Sequence, residues 1–97
     1  MSVRERIMEV LLNTDEPLTV DQIAVMVGMD PSQARDVYEH IRHIAKTVRT
    51  KYGKVLYMQP AECRKCGYIF NSDKPKKPSK CPRCGSTWIE PPRFIIR

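Results

Sequence analysis

The sequence has no apolar run approaching the roughly 20 residues that a membrane-spanning helix needs. Its opening stretch, MSVRERIMEV, mixes charges through the pattern of an amphipathic helix and does not read as a signal peptide. A soluble, cytoplasmic protein without a membrane partner is expected. The chain also lacks the βαβ alternation that would accompany a thioredoxin-like redox pair. No heptad pattern specifies a coiled coil, so the oligomeric state, a homodimer included, stays open. His40 and His43 lie within one helical turn of each other but have no nucleophile or carboxylate constellation around them, and an enzyme is not expected.

What the 97 residues do contain is a soluble globular composition, 41% hydrophobic and 29% charged, with a net charge of +6 that is unevenly spread. Residues 1–39 hold three basic and eight acidic side chains. Residues 40–60 hold five basic and none acidic, and residues 61–97 hold nine basic and three acidic. A polyanionic partner should therefore avoid the first helices and meet the later segments.

Ser2 and Glu5 have capping-box spacing, and Val3, Ile7, Val10 and Leu11 follow at helical intervals, so a first helix is predicted to about Asn13. Thr19 and Gln22 offer a second box, before a short helix with Ile23, Ala24 and Val27 on one face and Gly28 as its stop. Asp30-Pro31, with Gln33 three residues after the cap, predicts the start of a third helix. Its apolar positions, from Ala34 and Val37 through Ile41, Ile44 and Val48, carry it to Lys46 or Val48. After it, two short strands, Thr47–Lys51 and Lys54–Met58, are predicted to form a hairpin turned at Tyr52-Gly53. Arg93–Ile96 reads as a last strand that pairs with another element, and Met8, Met26, Met29 and Met58 read as core fillers.

Cys63, Cys66, Cys81 and Cys84 form two C-x-x-C pairs, each followed by glycine, with fourteen residues between the pairs. A C-x-x-C turn lets two thiolates reach one ion, and two such turns complete a tetrahedron. The spacing predicts one structural zinc ion, although a four-thiolate site also accepts iron. With no open ligand position, the metal has no predicted catalytic role. Each pair leads into a strand, Tyr68-Ile69-Phe70 after the first and Thr87-Trp88-Ile89 after the second, and the aromatic residues Tyr68, Phe70 and Trp88 are expected to pack inward. The segment between the pairs, Asn71 to Lys80, holds four lysines and two prolines and reads as a solvated loop.

Three helices with a short second one, followed by a hairpin, match a winged helix-turn-helix. Together with Pro60-Ala61-Glu62-Cys63-Arg64-Lys65-Cys66-Gly67-Tyr68-Ile69-Phe70, and Cys81-Pro82-Arg83-Cys84 running into Trp88-Ile89-Glu90-Pro91-Pro92-Arg93-Phe94, the chain resembles a family of small archaeal predicted transcriptional regulators. In that family a winged helix-turn-helix is fused to a rubredoxin-like zinc ribbon. The resemblance implies an α+β fold with a winged domain over 1–60, a ribbon over 61–90 and a C-terminal strand, 91–97, packing on the rest. It also implies a DNA-binding role.

On that reading the base-reading candidates are Ser32, Gln33, Arg35 and Asp36. Phosphate-contacting candidates are Arg42, Lys46, Arg49, Lys51 and Lys54, then Lys74, Lys76, Lys77 and Lys80 of the loop. Double-stranded DNA is the expected partner. The alternative from another class is an adaptor that binds protein components of the transcription machinery and DNA only weakly. Asp30, Asp36 and Glu39 stand against the DNA reading, because they place negative charge at the proposed reading end.

Overall fold

The computed structural model describes residues 1–97. Helix α1, Val3–Asn13, starts at the Ser2–Glu5 box, with the Glu5 N–H donating to Ser2 Oγ at 3.1 Å and the Ser2 N–H donating to Glu5 Oε1 at 3.3 Å. Strand β1, Leu18–Thr19, runs directly into helix α2, Val20–Val27, where Thr19 and Gln22 cap each other in the same way at 3.2 and 2.9 Å. Gly28 ends α2 in the left-handed region, at φ 76°. Both boxes satisfy N–H groups that a helix start would otherwise leave open.

The third helix differs from its sequence-based outline at both ends. Asp30 does act as a cap, accepting from the Ser32 N–H at 2.9 Å, but it caps only a 3-10 turn, Pro31–Gln33. Helix α3 begins at Asp36 and continues to Tyr52. The predicted strand Thr47–Lys51 is therefore helical. Its β-branched residues are accommodated because the Thr47 and Thr50 hydroxyls donate to carbonyls one turn back, His43 at 3.1 Å and Lys46 at 3.0 Å. Val48 also continues the buried stripe of Val37, Ile41 and Ile44. Arg49 and Lys51 in the last turn suit the negative end of the helix. Gly53, at φ 63°, closes it where a side chain would be strained.

Without that strand the expected hairpin does not exist, and β2, Leu56–Gln59, needs another partner. It finds β5, Arg93–Ile96, in an antiparallel register of Leu56 with Ile96 and Gln59 with Arg93. Strand β5 also pairs with β1, so the C-terminal strand is the middle of a three-stranded sheet ordered β1-β5-β2. Its alternate residues Phe94 and Ile96 are fully buried among Ile7, Leu11, Ile23, Ile41 and Val48 of the helices. Tyr38 meets the Phe94 ring edge-on at 6.2 Å.

Between β2 and β5 the chain forms a second, smaller unit. Strands β3, Glu62–Cys63, and β4, Ile89–Glu90, pair antiparallel over a small cluster of Ala61, Cys63, Cys81 and Ile89. The protein is thus a mixed α+β fold in which three helices pack on one small sheet and a ribbon is carried by another. No helix is long and apolar enough to cross a membrane.

Candidate metal centre and basic surface

The two cysteine turns are built alike, as their sequence repeat predicts. In the first, the Cys63 N–H donates to the Tyr68 carbonyl at 2.8 Å and the Gly67 N–H to the Cys63 carbonyl at 2.9 Å. In the second, Cys81 donates to Ser86 and Gly85 to Cys81, both at 2.9 Å. Gly67 and Gly85 have φ values of 78° and 76°, the left-handed step that turns each loop back past its sulfurs. The Arg64 N–H donates to the Trp88 carbonyl at 2.9 Å and joins the first turn to the strand that leaves the second.

These turns bring four free thiols together, with every Sγ within 4.8 Å of the others. The Cys63–Cys84 and Cys66–Cys81 sulfurs are 3.6 Å apart, far longer than a disulfide. A tetrahedral ion with metal–sulfur bonds of about 2.3 Å requires sulfur–sulfur edges of about 3.8 Å, so the donor set fits such an ion. Cys63 and Cys81 are buried, and Cys84 is exposed. The Cys66 N–H points at the Cys63 sulfur, with support from that of Lys65, and brings its thiol down to about 6. Cys66 goes the other way, to about 12: the Tyr68 N–H favours its thiolate, but burial and the three neighbouring sulfurs outweigh that. A divalent cation removes this conflict by holding all four sulfurs as thiolates, which leaves the loaded centre with a net negative charge.

A family model described as "PF0610-like, N-terminal" matches residues 2–57, and one described as "PF0610 rubredoxin-like zinc beta-ribbon domain" matches residues 60–97. The chain belongs to the PF0610-like family. Its structure is similar to the solution structure of protein PF0610 from Pyrococcus furiosus, with a TM-score of 0.79 and 36% identity over 98% of this chain and 88% of that one. Comparison with curated proteins gives no match. In this PF0610-like chain the zinc ribbon is therefore supported by the family model and by the four convergent sulfurs independently.

A charged chain of contacts runs from the ribbon to the helices and was not legible in sequence. Arg64 Nε donates to Glu90 Oε2 at 2.6 Å, Arg93 donates to Glu90 Oε1 at 2.8 Å, and Arg93 also reaches Gln22 Oε1 at 3.4 Å. Gln22 is the residue that caps α2 with Thr19. Burial would raise the Glu90 carboxyl, but the two guanidinium groups outweigh it and hold it below the ordinary range. Trp88 departs from its expected inward packing: 59% of it is exposed, with the Arg64 guanidinium over its ring at 5.8 Å. Tyr68 and Phe70 do pack together, edge to face at 5.2 Å.

The sequence-selected cations of this PF0610-like chain are all exposed, but they divide between surfaces. Arg42 and Lys46 of α3 line one cleft together with Lys74 of the ribbon loop, over a floor that includes Ile41, Leu56 and Phe94. Lys74, Lys76 and Lys80 line a neighbouring cleft, and Lys77 does not. Arg49 and Lys51 lie in the last turn of α3, with Lys54 just beyond it. Ser32 and Gln33 stand on the 3-10 turn, while Arg35 and Asp36 open α3.

The acidic side chains near that end are partly engaged. Asp30 also accepts from the Ser32 hydroxyl at 2.7 Å, which with the Ser32 N–H holds its carboxyl below the ordinary range. Glu39 pairs with Arg42 at 3.8 Å and His43 at 3.4 Å. His40 accepts from Arg4 at 3.2 Å.

Proposed function

We propose that this protein is a DNA-binding transcriptional regulator of winged helix-turn-helix type, with one structural zinc ion holding its ribbon. In this reading α2, the 3-10 turn and the start of α3 form the helix-turn-helix. The β2 and β5 strands form the base of the wing, and the ribbon occupies the place of the wing's loop. The observation that carries the proposal is the meeting of Arg42 and Lys46 with Lys74 in one cleft, although α3 and the ribbon loop are remote in sequence. Phosphate contacts fix orientation on a duplex, and base contacts near Gln33 and Arg35 would add sequence preference. The engagement of Asp30 and Glu39 by local partners weakens the objection from acidic charge.

Zinc is favoured over iron because it is redox-inert and the four sulfurs leave no ligand position open. No catalytic role is assigned, and two copies on paired half-sites would follow the usual geometry of such regulators. The test is binding of metal-loaded protein to a random duplex pool as salt rises. Enrichment of a motif is expected. Loss of all binding at physiological salt with no motif enriched would sink the reading.

The second reading is a protein adaptor of the transcription machinery. It is favoured by Val25 and Met26 on the outer face of α2, which are 77% and 58% exposed; for Met26 this departs from its expected core position. Retained capture of a protein partner by a Val25→Ser, Met26→Ser variant would remove that support.

A further inference from the structure

The loop between the two cysteine turns borders a cleft that differs from four other clefts of the surface. Lys74, Lys76 and Lys80 line it, and no carboxylate does. The clefts beside Tyr57, between α1 and α2, between α3 and the loop, and at the first cysteine turn each include a carboxylate: Asp73, Glu9, Asp73 again, and Glu62 with Glu90. The salt bridges of the protein are those of Glu39 with Arg42 and of Glu90 with Arg64 and Arg93, so no loop ammonium group is held by a carboxylate, although Asp73 lies beside Lys74.

Two further features give the cleft a chemical preference. The hydroxyls of Ser72 and Ser79 border it, and the Ser72 oxygen already accepts from the Lys74 N–H at 3.2 Å, which leaves the hydroxyl proton to donate outward. Met58 and Phe70 supply apolar surface beside the cations. Pro75 and Pro78 fix φ at two points of the loop, which lowers the entropy lost when a ligand orders it. An inorganic anion would use only the cations and hydroxyls. A phosphate ester with a flat apolar part would use the whole lining.

We propose that this cleft binds a nucleotide, with its phosphate oxygens on Lys74, Lys76 and Lys80 and its sugar and base against Met58 and Phe70. The nucleotide is either a free effector or a unit of a nucleic acid strand, and the recognition chemistry is the same for both. The free-effector arm is independent of the DNA-binding reading, and the strand arm extends it.

Metal-loaded protein would be titrated separately with ADP and with a short single-stranded oligonucleotide, following amide resonances of Ser72 and Phe70. Saturable shifts there with ADP, weakened about tenfold by Lys76→Gln with Lys80→Gln and unchanged by Lys77→Gln, would identify a free nucleotide site. The same pattern with the oligonucleotide alone would identify a strand site. Absence of shifts at Ser72 and Phe70 with both probes would overturn the proposal. So would equal weakening by Lys77→Gln, because Lys77 is outside the lining and only diffuse charge would then be at work. A cleft that binds ADP in a protein that enriches no duplex motif would separate this proposal from the fate of the regulator reading.

Discussion

Gln59 and Arg93 stand opposite each other in the register of β2 and β5, so the chain leaves the sheet and returns to it at one point. Everything between them, residues 60–92, is an excursion that contains the whole ribbon. The returning strand is the middle of the sheet, and its Phe94 and Ile96 lie in the main core. The core of the helical part is therefore complete only when the excursion has closed. Closing an unstructured segment of that length costs roughly 3 kcal/mol beyond a constant. A metal-clamped ribbon meets much of this cost in advance.

Metal removal should consequently weaken the helices as well as the ribbon. In chelated protein, or in a Cys81→Ser variant, unfolding of the helical part is expected to be easier by about 2–4 kcal/mol. Urea titration followed by far-ultraviolet circular dichroism measures this, since the signal comes from α1 to α3. An unchanged helix midpoint after complete metal loss would show that β5 docks without the ribbon, and the coupling argument would fail.

The two large aromatic residues at the end of the chain should behave oppositely. Phe94 is fully buried against Tyr38 and the core aliphatic residues, so Phe94→Ala is expected to cost about 3–5 kcal/mol. Trp88 is mostly exposed and its ring faces the Arg64 guanidinium, so Trp88→Ala should cost under about 1 kcal/mol. Denaturant midpoints of the two metal-loaded variants decide the matter. A loss at Trp88 as large as that at Phe94 would contradict the exposed placement.

The contrast shows where sequence reading succeeds. Ser2–Glu5, Thr19–Gln22 and the cysteine turns are local patterns whose partners are three to five residues away, and the structure forms all of them. The hairpin expectation failed because Tyr52-Gly53 reads as the turn between two strands, whereas Gly53 closes α3 and the helical stripe through Val48 keeps 47–51 helical. The partner of β2 is β5, and the two are separated by the entire ribbon, a pairing that no local pattern specifies. The Arg64–Glu90–Arg93–Gln22 chain was hidden for the same reason: it depends on the fold that brings remote residues together.

That chain has a pH signature. Glu90 is held below the ordinary carboxyl value of 4.5 in the folded protein, because Arg64 and Arg93 outweigh its burial. Its contribution to stability is thus fully present above that ordinary value and is lost as pH falls through the lower folded one. A carbon-detected titration should place the Glu90 midpoint below 4.5, and Arg64→Gln should move it upward. The stability difference between the parent and Glu90→Gln should be constant near neutrality and close at lower pH. Acid release of the metal is common to both proteins and drops out of the comparison. A midpoint at or above 4.5 would mean that the guanidinium groups do not govern this carboxylate.

The cleft between α3 and the ribbon loop makes the regulator reading quantitative. If Lys46 and Lys74 each neutralise one phosphate of a duplex, removing either charge releases one fewer set of counterions. The slope of log affinity against log salt should then become shallower by about 0.9 for Lys46→Gln, and by about 1.8 for the double variant with Lys74→Gln. Affinity should fall by a similar factor on every duplex, because phosphate contacts carry no sequence information. Gln33→Ala should do the reverse, reducing discrimination between duplexes while leaving the slope unchanged, since a base contact releases no counterion. Both lysines lie on the surface and make no ion pair, so the variants should keep the parent's melting temperature. A folded double variant with an unaltered slope would place the phosphate strand elsewhere and leave the meeting of α3 with the ribbon loop without a role in DNA binding.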